Sequence, residues 1–217
     1  MRRYGCLLSS DTRSIPPMPT FEDTAAALAW THARQRLLPS LSDVRRHVAD
    51  RLMYLVGRRA RLLDVGGGAA LLGEVVMARL ADAAYVWVDP SPEMRNLAEA
   101  RLAHRPDCFF RTAPLVEGIA SIGAGAAFDA AWGLDVFAAR APEDRPAAVH
   151  REVYARMARG GRYFVCEPFA GAFQGDEDSR LETVDAQERA LADAGFEVGA
   201  SLTLVGPLAV HEMVRSG

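Results

Sequence analysis

Three consecutive glycines after a short apolar segment are the clearest chemical signal in the sequence. The segment reads Leu62-Leu63-Asp64-Val65-Gly66-Gly67-Gly68-Ala69-Ala70, the pattern of a buried strand that turns into a helix. Glycines at the end of a strand let a ligand approach the backbone, and the first N–H groups of a helix favour a negative group. Asp64 is placed to accept hydrogen bonds from a ligand ammonium or from the turn amides. The pattern therefore predicts a site for a ligand with a carboxylate or a phosphate.

A second acid, Asp89, ends the next apolar run, which reads Val86-Trp87-Val88-Asp89-Pro90-Ser91-Pro92-Glu93-Met94. It lies about 20 residues beyond the turn, where a carboxylate binds the hydroxyls of a ribose. Pro90 and Met94 are positioned to enclose an aromatic base, because a thioether packs well against a ring. A dinucleotide is disfavoured, since Leu71 stands where the dinucleotide fingerprint requires a small residue. The second stretch therefore predicts a site for a ribose and an aromatic base.

Short apolar runs alternate with segments of helical periodicity beyond Gly57, as in repeated strand–helix–strand units. The runs predict strands at residues 61–65, 84–89, 108–111, 127–133 and 161–167, with helices between them. Two later runs joined by Gly206 and Pro207 predict a closing antiparallel pair. We therefore expect an α/β fold with a mostly parallel sheet.

The ends of three helices can be predicted from the residues that cap or line them. Ser42 is the expected N-cap of a helix that reaches Tyr54, and Ser91 is the expected N-cap of a helix with Pro92 in its first turn. A third helix is expected to carry Met157 at the end of its inward stripe, before Gly160 ends it.

The two acidic motifs resemble motifs I and II of the class I S-adenosylmethionine-dependent methyltransferases. Residues 128–137 are similar to the fourth strand of this family and its loop, and residues 157–165 to the following helix end, turn and fifth strand. The resemblance implies a Rossmann-like three-layer sandwich with a seven-stranded, mostly parallel sheet of order 3-2-1-4-5-7-6.

The resemblance also implies a cofactor and its contacts. S-adenosylmethionine is expected to place its ribose on Asp89 and its methionine part over the glycine turn. Further cofactor contacts are implied at Thr112, Ala113 and Gly133. No metal site is implied.

The chain departs from the family pattern at three places. Ala70 replaces the usual last glycine of motif I, and Thr112 replaces an acid that often follows the third strand, so adenine recognition is expected to rest on the Ala113 backbone. Ala138 and Ala139 replace a histidine pair after the fourth strand. No Asn-Pro-Pro-Tyr type sequence follows the fourth strand, which argues against methylation of adenine N6 or glutamine.

The domain organisation follows from composition and from the same resemblance. Residues 1–20, rich in Ser and Pro, are expected to form a flexible tail, because they bury too little to offset the entropy of ordering. Residues 21–217 are expected to form a single domain, in which 21–56 hold a helical lid and a first helix and 57–217 hold the Rossmann-like core. Residues 171–179 are expected to form a mobile loop at the pocket mouth.

Composition limits the partners. The net charge of −3 and the pI near 6.0 give no general attraction to nucleic acid or to a membrane. Three distant cysteines favour neither a disulfide framework nor a metal site, and no apolar run follows the basic pair at the start, so a cytoplasmic location is expected. The absence of lysine among the 25 basic residues is typical of a GC-rich bacterial genome.

The predicted activity is methyl transfer from S-adenosylmethionine to an oxygen, nitrogen or carbon of a small molecule. Two alternatives stay open: a non-catalytic scaffold that binds S-adenosylmethionine, and an enzyme that uses it without methylation. No catalytic residue is assigned, because positioning alone can accelerate methyl transfer. Asp135, Glu167 and His32 are candidates for contacts with the acceptor. The oligomeric state, monomer or homodimer, stays open.

Overall fold

A mixed sheet lies at the centre of the structure, a computed structural model that describes residues 19–123, 125–137, 146–170 and 181–216. Within these ranges the sheet has seven strands in the order β3-β2-β1-β4-β5-β7-β6. The strands are β1 (Arg61–Val65), β2 (Ala84–Asp89), β3 (Cys108–Thr112), β4 (Phe128–Leu134), β5 (Met157–Pro168), β6 (Glu197–Val205) and β7 (Leu208–Val214). Strands β1 to β5 pair in parallel, and β7 pairs antiparallel with both β5 and β6. The predicted fold class and strand order are confirmed.

Helices cover both faces of the sheet and make the fold a three-layer sandwich. The described residues contain α1 (Thr24–Leu37), α2 (Leu41–Leu55), α3 (Leu71–Arg79), α4 (Pro92–Leu102), α5 (Leu115–Ala120), α6 (Pro146–Arg156) and α7 (Val184–Asp193). One apolar cluster packs helices α1, α2, α3 and α4 against the face of β1 that carries Leu62. A second cluster joins α5, α6 and α7 to the opposite face, which carries Leu63. Side chains alternate between faces along a strand, so the run from Leu62 to Val65 serves both layers.

The order of the strands creates the position of a site. Strand β1 pairs with β2 on one side and with β4 on the other, so the helices after β1 and β4 diverge to opposite faces of the sheet. In open α/β sheets a ligand crevice forms outside the carboxyl ends of the strands at such a switch point. The glycine turn after β1, Asp89 at the end of β2 and Asp135 after β4 all lie at this edge.

Several predicted element ends are confirmed, and two are wrong. Ser91 caps α4, because its hydroxyl accepts a hydrogen bond from the Met94 amide at 3.1 Å. Helix α2 begins at Leu41, so Ser42 is not its N-cap; Leu41 is buried and packs into the core as the first helical residue. Met157 is the first residue of β5 and not the end of a helix, because its backbone pairs with Phe128.

Some expectations concern segments that the described ranges do not include. These are residues 1–18 of the expected tail, the pair Ala138 and Ala139, and the expected loop 171–179.

Candidate functional site

The glycine turn after β1 is held against the end of β2. Gly66 and Gly68 have φ angles of 62° and 49°, a backbone region that side chains rarely adopt. The amides of Gly66 and Gly67 both donate to the Val88 carbonyl, at 2.8 and 3.3 Å. The first and third glycines are therefore required by backbone conformation.

The middle glycine is required by space. A Cβ on Gly67 would lie 2.3 Å from Cδ1 of Trp87 and 2.9 Å from Cγ of Asp64. The Trp87 indole Nε1 also donates to the Gly68 carbonyl at 3.0 Å, so the ring holds the turn by a hydrogen bond as well as by packing. The turn thus packs on a buried aromatic ring with no room for a side chain.

Asp89 ties the glycine turn to the start of α4. Its Oδ2 accepts a hydrogen bond from the Gly68 amide at 3.1 Å, and its Oδ1 accepts one from the Ser91 amide at 2.9 Å. The side chain is 1% exposed. Asp89, rather than Asp64, holds the turn amide, which corrects one of the two roles expected for Asp64.

Asp64 is buried against an aromatic hydroxyl. Its Oδ2 accepts a hydrogen bond from the Tyr85 hydroxyl at 2.6 Å. Burial raises the pKa of the Asp64 carboxyl to about 7, while the side chains of Tyr85 and Trp132 act in the opposite direction. A cationic group placed beside this carboxyl would favour its charged form.

These residues border a cavity of about 870 Å³, counted with its open mouth. Its wall consists of Trp30, Thr31, Arg34, Gln35, Leu41, Arg45, Asp64, Gly66, Gly67, Gly68, Ala69, Leu71, Leu72, Asp89, Met94, Trp132, Leu134, Asp135 and Val136. The structure thus brings together Asp64, the three glycines, Asp89 and Met94, as the sequence predicts.

Four predicted contact residues do not line this cavity. Pro90 follows Asp89 at the end of β2, and Thr112 and Ala113 lie one strand farther out, where the Ala113 amide donates to the Asp89 carbonyl at 3.2 Å. Gly133 lies inside β4, where a Cβ would meet Cγ2 of Val136 at 3.4 Å. Their predicted roles as cofactor contacts stay predictions.

The N-terminus of α3 opens beside the turn. Its N-cap, Ala70, has a φ of 54° and offers no side-chain acceptor to the first amides of the helix. The first N–H groups of an α-helix have no intrahelical acceptor. Leu71 and Leu72, which carry two of these groups, line the cavity. The cavity wall therefore includes an uncapped helix N-terminus that suits an anionic ligand group.

Helices α1 and α2 form another part of the wall. Thr31 of α1 contacts the Met94 sulfur with its hydroxyl at 3.9 Å, and Thr24 accepts a hydrogen bond from Asn96 at 3.2 Å. Trp30 and Arg34 of α1 and Arg45 of α2 line the cavity. His32, a candidate acceptor contact, instead points to the exposed outer face of α1.

An ion pair joins α1 to the loop after β4. Arg34 donates from Nε and Nη2 to the two carboxylate oxygens of Asp135, each at 2.5 Å. Both side chains are less than a tenth exposed. Asp135 was a sequence candidate, but its partner was not, because Arg34 lies 101 positions earlier among several arginines with no distinguishing local pattern.

The loop that carries Asp135 has an unusual backbone. Asp135 has a φ of 57°, a strained value for a residue with a side chain, and its amide donates to the Cys166 carbonyl at 2.7 Å. The next two amides, of Val136 and Phe137, donate to Oε1 of Glu167 at 2.7 and 3.1 Å. Glu167 is 4% exposed and holds the loop through these hydrogen bonds. Its position does not provide the contact with the methyl acceptor that the sequence suggested.

A buried histidine lies behind this loop. His150 Nδ1 is 3.2 Å from the Tyr163 hydroxyl, and its ring meets Phe137 edge-on. Burial lowers the pKa of His150 to about 3, so the ring is neutral and shares a hydrogen bond with the Tyr163 hydroxyl. His150 therefore contributes packing beneath the site.

Two further properties concern the described residues as a whole. None of their helices combines the length and apolar character that crossing a membrane requires. Their His, Cys, Asp and Glu side chains include no group of three placed to hold a metal ion.

Residues 63–163 match the family model described as Methyltransferase domain. The matched segment contains the glycine turn, Asp89 and the loop at Asp135. This match and the strand order support the resemblance to the class I S-adenosylmethionine-dependent methyltransferases that the sequence motifs carry.

Solved structures share this fold at low sequence identity. An O-methyltransferase family protein from Burkholderia thailandensis has a TM-score of 0.67 at 17% identity, over 90% of this chain and 61% of that one. A TehB-like SAM-dependent methyltransferase from Corynebacterium glutamicum has a TM-score of 0.65 at 12% identity, over 89% of this chain and 100% of that one. Human N-acetylserotonin methyltransferase, solved in complex with SAM, has a TM-score of 0.63 at 16% identity, over 92% of this chain and 61% of that one. At these identities the likeness shows the fold.

No protein of curated function matches the chain in sequence.

Proposed function

We propose that this protein transfers a methyl group from S-adenosylmethionine to an oxygen, nitrogen or carbon atom of a small molecule. The observation that carries the proposal is the cavity itself. The glycine turn, Asp89 and Met94 line one part of it, and residues of α1, α2 and the β4 loop line another. The same cavity thus has one part suited to a nucleoside and a second part lined by other side chains.

The residues present fit the cofactor on two counts. The glycine turn and the uncapped start of α3 offer backbone N–H groups to the carboxylate of the methionine part. Asp64, buried beside the turn, offers a carboxyl whose charged form an ammonium group would stabilise. These features support our placement of the methionine part at the turn.

The nucleoside part is assigned to the residues around β2 and α4. Asp89 accepts hydrogen bonds from two backbone amides at the end of β2, and a carboxylate at this place in an α/β sheet suits the hydroxyls of a ribose. Met94 is buried, and its sulfur faces the cavity wall next to Thr31, where it suits packing on a base. Pro90, Ala113 and Thr112 are proposed to contact the base from outside the described cavity wall.

When bound, S-adenosylmethionine supplies an electrophilic methyl group on sulfur. The chain's own residues bring the acceptor atom into line with that group and exclude water. Positioning of two reactants is worth about 7–11 kcal/mol of an activation barrier. The part of the cavity formed by α1, α2 and the β4 loop would face the acceptor. Its apolar side chains Trp30, Leu41 and Leu134 would help to exclude water.

The acceptor is proposed to be a small molecule because of the lining of the cavity. The glycine turn, Asp89 and Met94 share the cavity with residues of α1, α2 and the β4 loop, an arrangement that suits a nucleoside cofactor beside a small acceptor. The net charge of −3 gives no general attraction to a polyanionic acceptor.

Calorimetric titration and a labelled transfer assay test the proposal. The purified protein is titrated with S-adenosylmethionine, S-adenosylhomocysteine and NAD, and micromolar binding of the two sulfur nucleotides without NAD is expected. The protein is then incubated with methyl-labelled cofactor and small-molecule cell extracts, and label is expected in a new low-molecular-weight product. Binding without any labelled product would favour a scaffold, and cofactor breakdown without methylation would favour a different use of the cofactor. Binding of none of the three nucleotides would overturn the proposal.

A further inference from the structure

Most charged groups of the cavity wall have a polar partner within the protein. Asp135 is paired with Arg34, Asp64 accepts from the Tyr85 hydroxyl, and Asp89 accepts from two backbone amides. The remaining charged group of the wall is Arg45 of α2, which is half-buried.

Arg45 has little compensation for its charge. Its Nε donates to the Leu41 carbonyl at 3.2 Å, one turn earlier in the same helix, and its guanidinium forms no ion pair with any residue that the structure describes. Burial and the charge of Arg101 lower the pKa of Arg45, while Asp135 and Cys166 act in the opposite direction. The surroundings as a whole therefore disfavour the positive charge, and an anion brought to this wall would stabilise it.

The position of Arg45 links it to the acceptor part of the cavity. Arg45 lines the cavity together with Asp135, which follows β4, and its helix α2 packs against β5. The charge of Arg101 on α4 also acts on Arg45. The nucleoside-type residues Asp89 and Met94 belong to β2 and α4, on the other side of β1. The carboxylate of the cofactor is already provided with the backbone N–H groups at the start of α3.

From this arrangement we infer that the methyl acceptor carries a carboxylate, which Arg45 binds through its guanidinium. A guanidinium presents two parallel N–H groups that match a carboxylate in geometry. The ion pair between Arg34 and Asp135 in the same wall carries no net charge, and Nη1 of Arg34 is a buried donor without a hydrogen-bond partner among the described residues. Arg45 is therefore the cation of this wall that has no ionic partner among those residues. The inference rests on the proposed methyl transfer and names the class of its acceptor.

The first arm of the test examines the charge of the product. Methyl-labelled S-adenosylmethionine and small-molecule cell extracts are incubated with the wild-type protein, and the products are passed over an anion exchanger at neutral pH. The labelled product is expected to be retained, because its carboxylate survives methylation at another atom. A labelled product that is not retained overturns the inference and leaves methyl transfer standing. No labelled product at all, with S-adenosylhomocysteine still bound, overturns the proposed function and the inference together.

The second arm compares Arg45→Gln with Arg46→Gln. Arg46 is the matched control, because it is exposed and pairs with Asp43 on the same helix. Arg45→Gln is expected to reduce labelling of the retained product at least tenfold at limiting extract, and Arg46→Gln to leave it within twofold of wild type. Arg45→Lys, which keeps the charge without the paired N–H geometry, is expected to restore part of the loss. Equal labelling by wild type and Arg45→Gln would refute the assignment.

The third arm separates the acceptor's carboxylate from that of the cofactor. Wild type and Arg45→Gln are titrated with S-adenosylhomocysteine and with methylthioadenosine, which lacks the amino-acid part. Affinities within twofold of wild type for both compounds support the acceptor as the source of the carboxylate. A loss of tenfold or more for S-adenosylhomocysteine alone would assign Arg45 to the cofactor and overturn the inference. A thermal melt of each variant shows that it is folded, and Arg45→Lys provides the same comparison if Arg45→Gln is not.

Discussion

Arg34 and Asp135 form a bidentate ion pair, 2.5 Å in both contacts, between the first helix and the loop after the fourth strand. The two residues are 101 positions apart, and each side chain is less than a tenth exposed. The pair therefore joins the N-terminal helix to the core at the edge of the cavity. A buried charge that loses its partner is costly, so this contact has a measurable role in stability.

Removal of either partner of this pair is expected to destabilise the protein strongly. Arg34→Met should lower the free energy of unfolding by about 3–5 kcal/mol, because Asp135 is left as an unpaired buried charge. Asp135→Asn should also be destabilising, and the double variant should cost less than the sum of the two single changes. Urea unfolding measures all three. Arg46→Met, in an exposed pair with Asp43, is the control and should change stability by no more than about 1 kcal/mol. Additive effects of the single changes would show that the two side chains are not coupled.

Asp89→Ala is expected to weaken binding of S-adenosylhomocysteine by about 30- to 150-fold. This range corresponds to the loss of about 2–3 kcal/mol of charge-assisted hydrogen bonding. The control is Asp129→Ala, because Asp129 lies in β4, away from the cavity, and accepts from the Arg61 amide at 2.8 Å. Calorimetric titration compares the two variants, and a thermal melt shows that both are folded. Unchanged affinity in Asp89→Ala would refute the proposed position of the ribose.

Gly67→Ala is expected to disturb the turn despite the small size of the change. The new Cβ would lie 2.3 Å from Trp87, so either the buried indole or the backbone must move. Such overpacking costs about 1–3 kcal/mol of stability, and we expect nucleoside binding to fall with it. Gly57→Ala is the matched control, since nothing lies within 4 Å of a Cβ at that position. Comparable melting temperatures and affinities for the two variants would contradict the tight packing of the turn.

The stability difference between wild type and Asp64→Asn is expected to depend on pH. Burial raises the pKa of Asp64 in the folded protein to about 7, above its value in the unfolded chain. The folded state therefore holds this proton more tightly, and the resulting stabilisation is complete below about pH 4 and lost as the pH rises through 7. Wild type should lose stability relative to Asp64→Asn across this interval, by an amount on the order of 4 kcal/mol.

Urea unfolding of both proteins at several pH values measures the difference for Asp64. The buried histidines His150 and His211, whose pKa values burial lowers to about 3 and 4, act in the opposite sense, but they are common to both proteins and cancel. A difference that stays constant from pH 4 to pH 7 would show that Asp64 is ionised throughout.

Glu167→Ala is expected to cost more stability than Glu167→Gln. The alanine leaves the buried amides of Val136 and Phe137 without their acceptor, whereas the glutamine keeps a side-chain oxygen in its place. The penalty for an unsatisfied buried amide is about 1–3 kcal/mol. Urea unfolding measures the two variants against wild type. An equal loss in both would mean that the negative charge, and not the acceptor oxygen, supports the loop.

Much of the fold was predictable because it follows from local patterns. The glycine turn between a buried strand and a helix, the cap at Ser91 and the hairpin turn at Gly206 are encoded by residues next to one another. The helix start at Leu41 was mispredicted because a serine stands on either side of it, and the structure places Ser40, and not Ser42, at the N-cap position of α2.

The candidate site was predictable only in part, for the same reason. Asp64, the glycine turn and Asp89 belong to two motifs with known spacing, and the structure brings them to one cavity. The roles of Arg34, Arg45 and Glu167 depend on contacts between distant segments. Sequence alone did not distinguish Arg34 and Arg45 from the other arginines of their helices.

The sequence by itself determined the fold class, the order of the elements and the residues proposed to bind the nucleoside, because strand and helix periodicity and glycine turns are local properties of the chain. Only the tertiary structure decided which charged groups of the cavity are paired. Asp135 is paired and Arg45 is not, since an ion pair depends on which helix faces the end of which strand. That arrangement is set by packing of whole elements on the sheet, which no local pattern records.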